Sequence, residues 1–149
     1  MMKNWIPVLI LLLMVPLAPV QKTDREEIFE NNVWKQLHAE YRPDDGLIDV
    51  LKSKVSAIDA IDIYFAFWCG DSENNVPQFI KILDSIGALG LKVNYFKADR
   101  KKPGEKFYFE KLKVERVPTF IFFKEGKELG RIIENPKKSL EEDSLEILF

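Results

Sequence analysis

The cysteine at position 69 is the residue of this chain best placed to do chemistry. It stands in Phe67-Trp68-Cys69-Gly70-Asp71-Ser72. Before it, Ile61 to Phe67 is rich in β-branched and aromatic residues and reads as a strand. After it, Val76, Phe79, Ile80, Leu83 and Ile86 recur at helical spacing. The thiol therefore falls where a buried strand hands over to the first turn of a helix. Helix N-terminal N–H groups and the helix dipole favour thiolate over thiol, and the thiolate is the nucleophile. Gly70 is expected to let the chain turn sharply and to leave the sulfur open to a partner. Trp68 can shield one side. Asp71 has two readings: a carboxylate that raises the thiol pKa, or a helix cap. A modestly lowered thiol pKa is expected, with the sign of the sum left open.

The chemistry has few other sources. There is one cysteine and one histidine, His38. An intrachain disulfide is excluded, and a zinc site of four Cys and His ligands is not expected. No metal or cofactor is expected. Lys and Arg number 22 against 24 Asp and Glu, a balance that gives no reason to expect a nucleic-acid partner. The cluster Arg100-Lys101-Lys102 lies beside Pro103-Gly104 and reads as a solvated loop. With 149 residues, 46% hydrophobic and 31% charged, the chain has the composition of one globular domain with a core.

Residues 1–20 differ from the rest. Lys3 precedes an apolar run from Trp5 to Leu17, and charge returns with Lys22, Asp24 and Arg25. This is the layout of a secretory signal, too short for an ordinary membrane span of about 20 apolar residues. Cleavage is expected near Val20-Gln21; an uncut membrane tether is the alternative. Pro7, Pro16 and Pro19 argue against a core helix.

The elements that must position Cys69 follow from residue 22 onward, in one domain over 22–149. Thr23 or Asp24 caps a helix whose face carries Ile28, Phe29, Val33, Trp34, Leu37 and Tyr41, with His38 at or near the surface. Pro43-Asp44-Asp45-Gly46 breaks it, and Leu47 to Val55 gives another helical turn or two. The strand at 61–67 places Ile61, Ile63, Phe65 and Phe67 on one face and Tyr64, Ala66 and Trp68 on the other, so burial on both sides is expected. The helix after Gly70 ends near Gly87 or Gly90. Strands over 91–98 and 119–123, a short helix over 105–112, a turn at Glu125-Gly126, a strand over 129–133 and a last helix opened by Ser139 and Glu142 complete the order. That order implies an α/β fold: a mixed central sheet flanked by helices on both faces.

Phe67-Trp68-Cys69-Gly70-Asp71-Ser72 resembles the Trp-Cys-Gly-Pro-Cys site of the thioredoxin family. Pro77 matches the family's helix-kinking proline. Arg116-Val117-Pro118-Thr119-Phe120, followed by Phe122 to Lys127, resembles its cis-proline loop, strand and hairpin. The resemblance covers about residues 45–149 and implies a thioredoxin-like fold with a cis Val117–Pro118 bond facing Cys69. It also implies that the Val117 backbone, with Pro118 and Thr119, receives an extended partner segment. Trp68, Gly70 and Asp71 would line the same groove.

The departures shape the chemistry. Ser72 stands where the resemblance places a resolving cysteine, and a hydroxyl cannot take that part in disulfide exchange. Asp71 replaces a proline, and the position of the family's buried acid is Ile63, with Asp62 pointing to the other side of the strand. The expectation is an exported monothiol protein in which Cys69 forms mixed disulfides with protein thiols or disulfides. Ser72 would hydrogen-bond the thiolate, and glutathione or another small thiol would serve as resolving agent. The alternative is a non-catalytic adaptor or chaperone that holds extended peptides; a third, weaker reading is a redox sensor. Export points to a periplasmic or other extracytoplasmic site, with membrane contact only if the N-terminal segment stays uncut.

Overall fold

The computed structural model describes residues 20–87, 89–98 and 112–149. The N-terminal apolar segment, the loop at 99–104 and all but the last residue of the helix expected over 105–112 lie outside them.

Five strands form one mixed sheet in the order β1-β3-β2-β4-β5. They are β1 (Val20–Thr23), β2 (Ala60–Phe65), β3 (Lys92–Ala98), β4 (Thr119–Lys124) and β5 (Lys127–Ile133). β2 is central and runs parallel to β3 and antiparallel to β4; β1 and β5 pair antiparallel at the two edges. The parallel β2–β3 pair needs a crossover, which α4 (Gly70–Ile86) supplies. Register fixes which side chains share a face: Ile61, Ile63 and Phe65 enter one core cluster, Tyr64 and Ala66 the other. The strand is thus buried on both sides. It is shorter than its apolar run, because Ala66 to Cys69 leave the ladder and turn, with Cys69 N–H donating to Ala66 O at 3.1 Å.

Residues of every described α-helix reach the first cluster. α1 (Arg25–Glu30) gives Ile28, α2 (Asn32–Glu40) Trp34, α3 (Asp45–Lys54) Ile48 and Leu51, α4 Val76, Phe79, Ile80 and Ile82, and α5 (Leu140–Leu148) Leu140. The second face is packed by Val114 and Val117, with Leu112, Phe96 and Phe123 at its margin. Phe79 joins helix to sheet: its ring lies 4.5 Å from Phe120 and 6.0 Å from Phe122. Phe79→Ala is expected to cost about 3–5 kcal/mol, read as a fall in the urea midpoint at unchanged slope.

The helical stretch before Tyr41 is two helices, not one. Asn31 separates them because its side chain accepts from Val33 and Trp34 N–H groups and caps α2. Asp24, rather than Thr23, caps α1. The break after Tyr41 is narrower than its turn-forming residues suggest, since Asp44 caps α3 and Asp45 and Gly46 are already helical. β1 has no periodicity to announce it; pairing with Tyr95 to Ala98 makes it a strand. At the far hairpin, Glu125 and Gly126 both have positive φ, 50° and 73°, which suits a two-residue turn between twisted strands.

Asp84, near the end of α4, ties the N-terminal helices to the helix that carries the site. The two terminal nitrogens of Arg25, Nη1 and Nη2, donate to its carboxylate at 2.5 Å, and His38 Nε2 lies 2.8 Å away. His38, side chain 18% exposed, also packs against Phe29, the two tilted rings 4.8 Å apart. Partial burial pushes the Asp84 carboxyl up, but the hydrogen bonds from Arg25 and His38 outweigh it and hold the group below its usual range. A folded-state pKa below the unfolded one contributes stability above the unfolded value, near pH 4, which is lost as pH falls through the folded value. Asp84→Asn is therefore expected to lower the denaturation midpoint at pH 7 and to flatten its fall towards pH 2–3. An equal loss at every pH would mean that Asp84 does not carry this dependence.

Candidate functional site

Cys69 is the N-cap of α4, with φ −100° and ψ 120°. The N–H groups of the first turn have no helical acceptor, and the sulfur belongs to the one residue that enters this turn without a side-chain cap bond. The thiol is half-buried against the second cluster. It donates to Val117 O at 3.2 Å. The next peptide bond, Val117–Pro118, is cis. Thr119 is buried, and its hydroxyl closes the same loop by donating to Arg116 O at 2.7 Å. The structure thus brings Cys69, Val117, Pro118 and Thr119 together across 48 residues of sequence.

Three neighbours differ from expectation. Ser72 is completely buried, and its hydroxyl accepts from Ala66 N–H at 3.3 Å. No hydrogen bond joins it to Cys69: the bend after β2 and the thiol's turn towards Val117 commit both groups elsewhere. Asp71 does not cap the helix; its carboxylate accepts from Asn135 at 3.1 Å. Gly70 lies inside the first helical turn without positive φ, so the sharp turn does not depend on glycine. A Cβ added there would meet nothing within 4 Å, so glycine leaves open space above the helix end. Trp68 is 46% exposed at the rim. Ile63 is fully buried in the first cluster, while Asp62, across the strand, accepts from Asn94 at 2.7 Å. No carboxylate occupies the Ile63 position.

A set of residues absent from the sequence reading completes the site. Asn75, buried on α4, donates to Glu134 O and to Asn135 Oδ1, both at 2.9 Å. Glu134 N–H donates to Pro118 O at 2.7 Å, and its carboxylate accepts from Arg116 at 2.9 Å. Glu134 has φ 59°, a left-handed backbone that costs a non-glycine residue of order 1 kcal/mol or more; three partners hold it there. Two asparagines in a row on α4, poor helix formers, were the one local sign that Asn75 serves tertiary structure. Among the described residues no group of His, Cys, Asp and Glu could hold a metal ion. A cavity of about 360 Å³ adjoins the cis-proline loop, lined by Lys113, Arg116, Thr119, Arg131, Ile133 and Glu134 among others.

Known proteins resemble this chain in sequence. A family model described as thioredoxin matches residues 21–143. A thioredoxin of Malassezia sympodialis is 31% identical over 80 residues, which span 54% of this chain and 69% of the relative. A thioredoxin-like protein, R548, of Acanthamoeba polyphaga mimivirus is 25% identical over 83 residues, spanning 56% of this chain and 58% of the relative. A sheet with the thiol at the head of its crossover helix, a proline loop against the sulfur and a family match over most of the chain agree: this chain belongs to the thioredoxin family.

Proposed function

We propose that the protein carries out thiol–disulfide exchange through Cys69 alone. The observation that carries this reading is the thiol at the start of α4, 3.2 Å from Val117 O beside Pro118. The Cys69 thiolate attacks one sulfur of a partner disulfide, a mixed disulfide forms, and the partner's other sulfur leaves as a thiolate. A second thiolate, from glutathione, another small thiol or the partner's own cysteine, attacks the mixed disulfide and returns Cys69 to the reduced form. Val117 offers backbone groups to an extended partner segment, and Pro118 and Thr119 shape the wall beside it. Trp68, Gly70 and Asp71 border the approach. The N-terminal segment, on this reading, directs export to an extracytoplasmic compartment or tethers the protein to a membrane there. Fractionation of cells making the full chain tests that part; a wholly cytosolic protein overturns it.

The experiment for the chemistry is incubation of the reduced protein with oxidised glutathione, followed by intact mass. A single adduct on Cys69, removed by excess reduced glutathione, is expected; failure to form it at any pH up to 9 would sink the reading. One observation favours a second reading, a non-catalytic peptide-binding adaptor. Ser72 is buried and bonded to Ala66, so no neighbouring group of the described site resolves a mixed disulfide. Peptide binding unchanged by Cys69→Ala would select the adaptor.

A further inference from the structure

The helix that carries the thiol is tied to the proline loop in two ways. One is the thiol's own bond to Val117 O at 3.2 Å. The other starts from Asn75, further along α4 and only 3% exposed. Its side-chain amide donates to Glu134 O and Asn135 Oδ1, both at 2.9 Å, while its Oδ1 accepts from Asn74 at 3.2 Å. Glu134 passes the tie on: its N–H donates to Pro118 O at 2.7 Å, and its carboxylate accepts from Arg116 at 2.9 Å. The segment after β5 is thus a latch between α4 and the loop. Thr119 pairs with Tyr64 on one side and Ile133 on the other; upstream of it the loop has left the sheet. Among the described residues, Cys69 at Val117 O and Glu134 at Pro118 O hold its main chain from outside the loop. The first of these bonds has no place in a mixed disulfide, because the sulfur is then bonded to the partner and has no hydrogen to give. The second remains, and with it the anchorage through Asn75.

We propose that Asn75 is a positioning residue for the exchange reaction: it keeps the Val117–Pro118 segment in place against α4 while a partner's extended chain lies on it and its disulfide reaches Cys69. The inference rests on the reading of Cys69 as the exchanging thiol. Its consequence is selectivity between partners. A disulfide carried by a peptide needs the loop, since main-chain pairing at Val117 aligns it, and a misplacement of about 1 Å costs about a hundredfold in rate. A small disulfide without a peptide main chain has nothing to pair and needs only the sulfur.

The test compares two disulfides with the same leaving group. One is hydroxyethyl disulfide; the other is a short unstructured peptide whose single cysteine is capped by 2-mercaptoethanol. In each, the Cys69 thiolate attacks one sulfur, a new S–S bond forms as the old one breaks, and the thiolate of 2-mercaptoethanol leaves. Intact mass of the full chain follows both adducts with time, in wild type and Asn75→Ala. Asn75→Ala is expected to lower the rate with the peptide by about tenfold and to leave the rate with hydroxyethyl disulfide unchanged. A merely structural role would lower both in proportion to the folded fraction, so equal losses, or an unchanged peptide rate, overturn the proposal. Asn75→Leu, close in volume but without donors, repeats the measurement if the alanine variant does not fold. A wild type inert to both disulfides removes the exchange reading and this proposal with it; a reactive wild type whose variant loses both rates equally removes the proposal alone.

Discussion

Cys69→Ala is expected to abolish adduct formation with oxidised glutathione and to bring any catalysed reduction of a protein disulfide down to the uncatalysed rate. The chain has no second thiol that could substitute, the alanine methyl is no nucleophile, and the Ser72 hydroxyl is a far weaker one at neutral pH. The loss should be complete rather than graded. Folding should survive, because Cys69 is only half-buried and its side chain makes one hydrogen bond. Rates of insulin-disulfide reduction with glutathione as the electron source, together with a thermal melt, measure both. Residual turnover in a folded Cys69→Ala protein would remove the sulfur from the mechanism.

The second large effect is a gain. Ser72→Cys is expected to turn the one-thiol site into a two-thiol site that forms an internal disulfide. Positions 69 and 72 lie three apart on the first turn, the spacing at which helix side chains share a face. Holding the second thiol in place replaces a bimolecular release step by an intramolecular one, a gain in effective concentration of many orders in favourable cases. Release of a mixed disulfide should accelerate by about tenfold or more and should no longer depend on glutathione concentration. The swap weakens the bond from Ala66 N–H to the buried hydroxyl, at about 1 kcal/mol, so the melt should fall only slightly. A free-thiol assay should count two thiols after reduction and none after mild oxidation. Two free thiols persisting under oxidant would show that the two side chains do not meet.

How much of this was legible beforehand depended on how local each signal is. The strand before Cys69, the helix after it and the Glu125-Gly126 turn are written in periodicity and in residues with special backbone needs, and they lie within a residue or two of their expected places. Gly87, at φ 60°, ends α4 as the pattern implies. Asn31 was invisible as a break because the apolar spacing runs through it, while the split comes from one side chain bonding two N–H groups. β1 is short and polar, and only its partner strand defines it. At the site, the thiol and its proline loop could be read from their motifs. The latch of Asn75, Glu134 and Asn135 could not, since hydrogen bonds spanning about sixty residues leave no periodic trace. Ser72 departs from expectation for a related reason: its type predicts a hydroxyl near the sulfur, but that hydroxyl accepts from the Ala66 N–H, a need created by the bend itself.

The contact between the thiol and Val117 O has a further meaning for how the protein meets a partner. The bond exists only while sulfur keeps its proton. Once the proton departs, two electron-rich atoms face each other at short range, and the carbonyl is left seeking a donor. An amide of an arriving chain can supply one. In the proposed exchange, becoming nucleophilic and becoming receptive would then be one event: the chemistry that arms the sulfur would also vacate the seat a visitor's main chain would take.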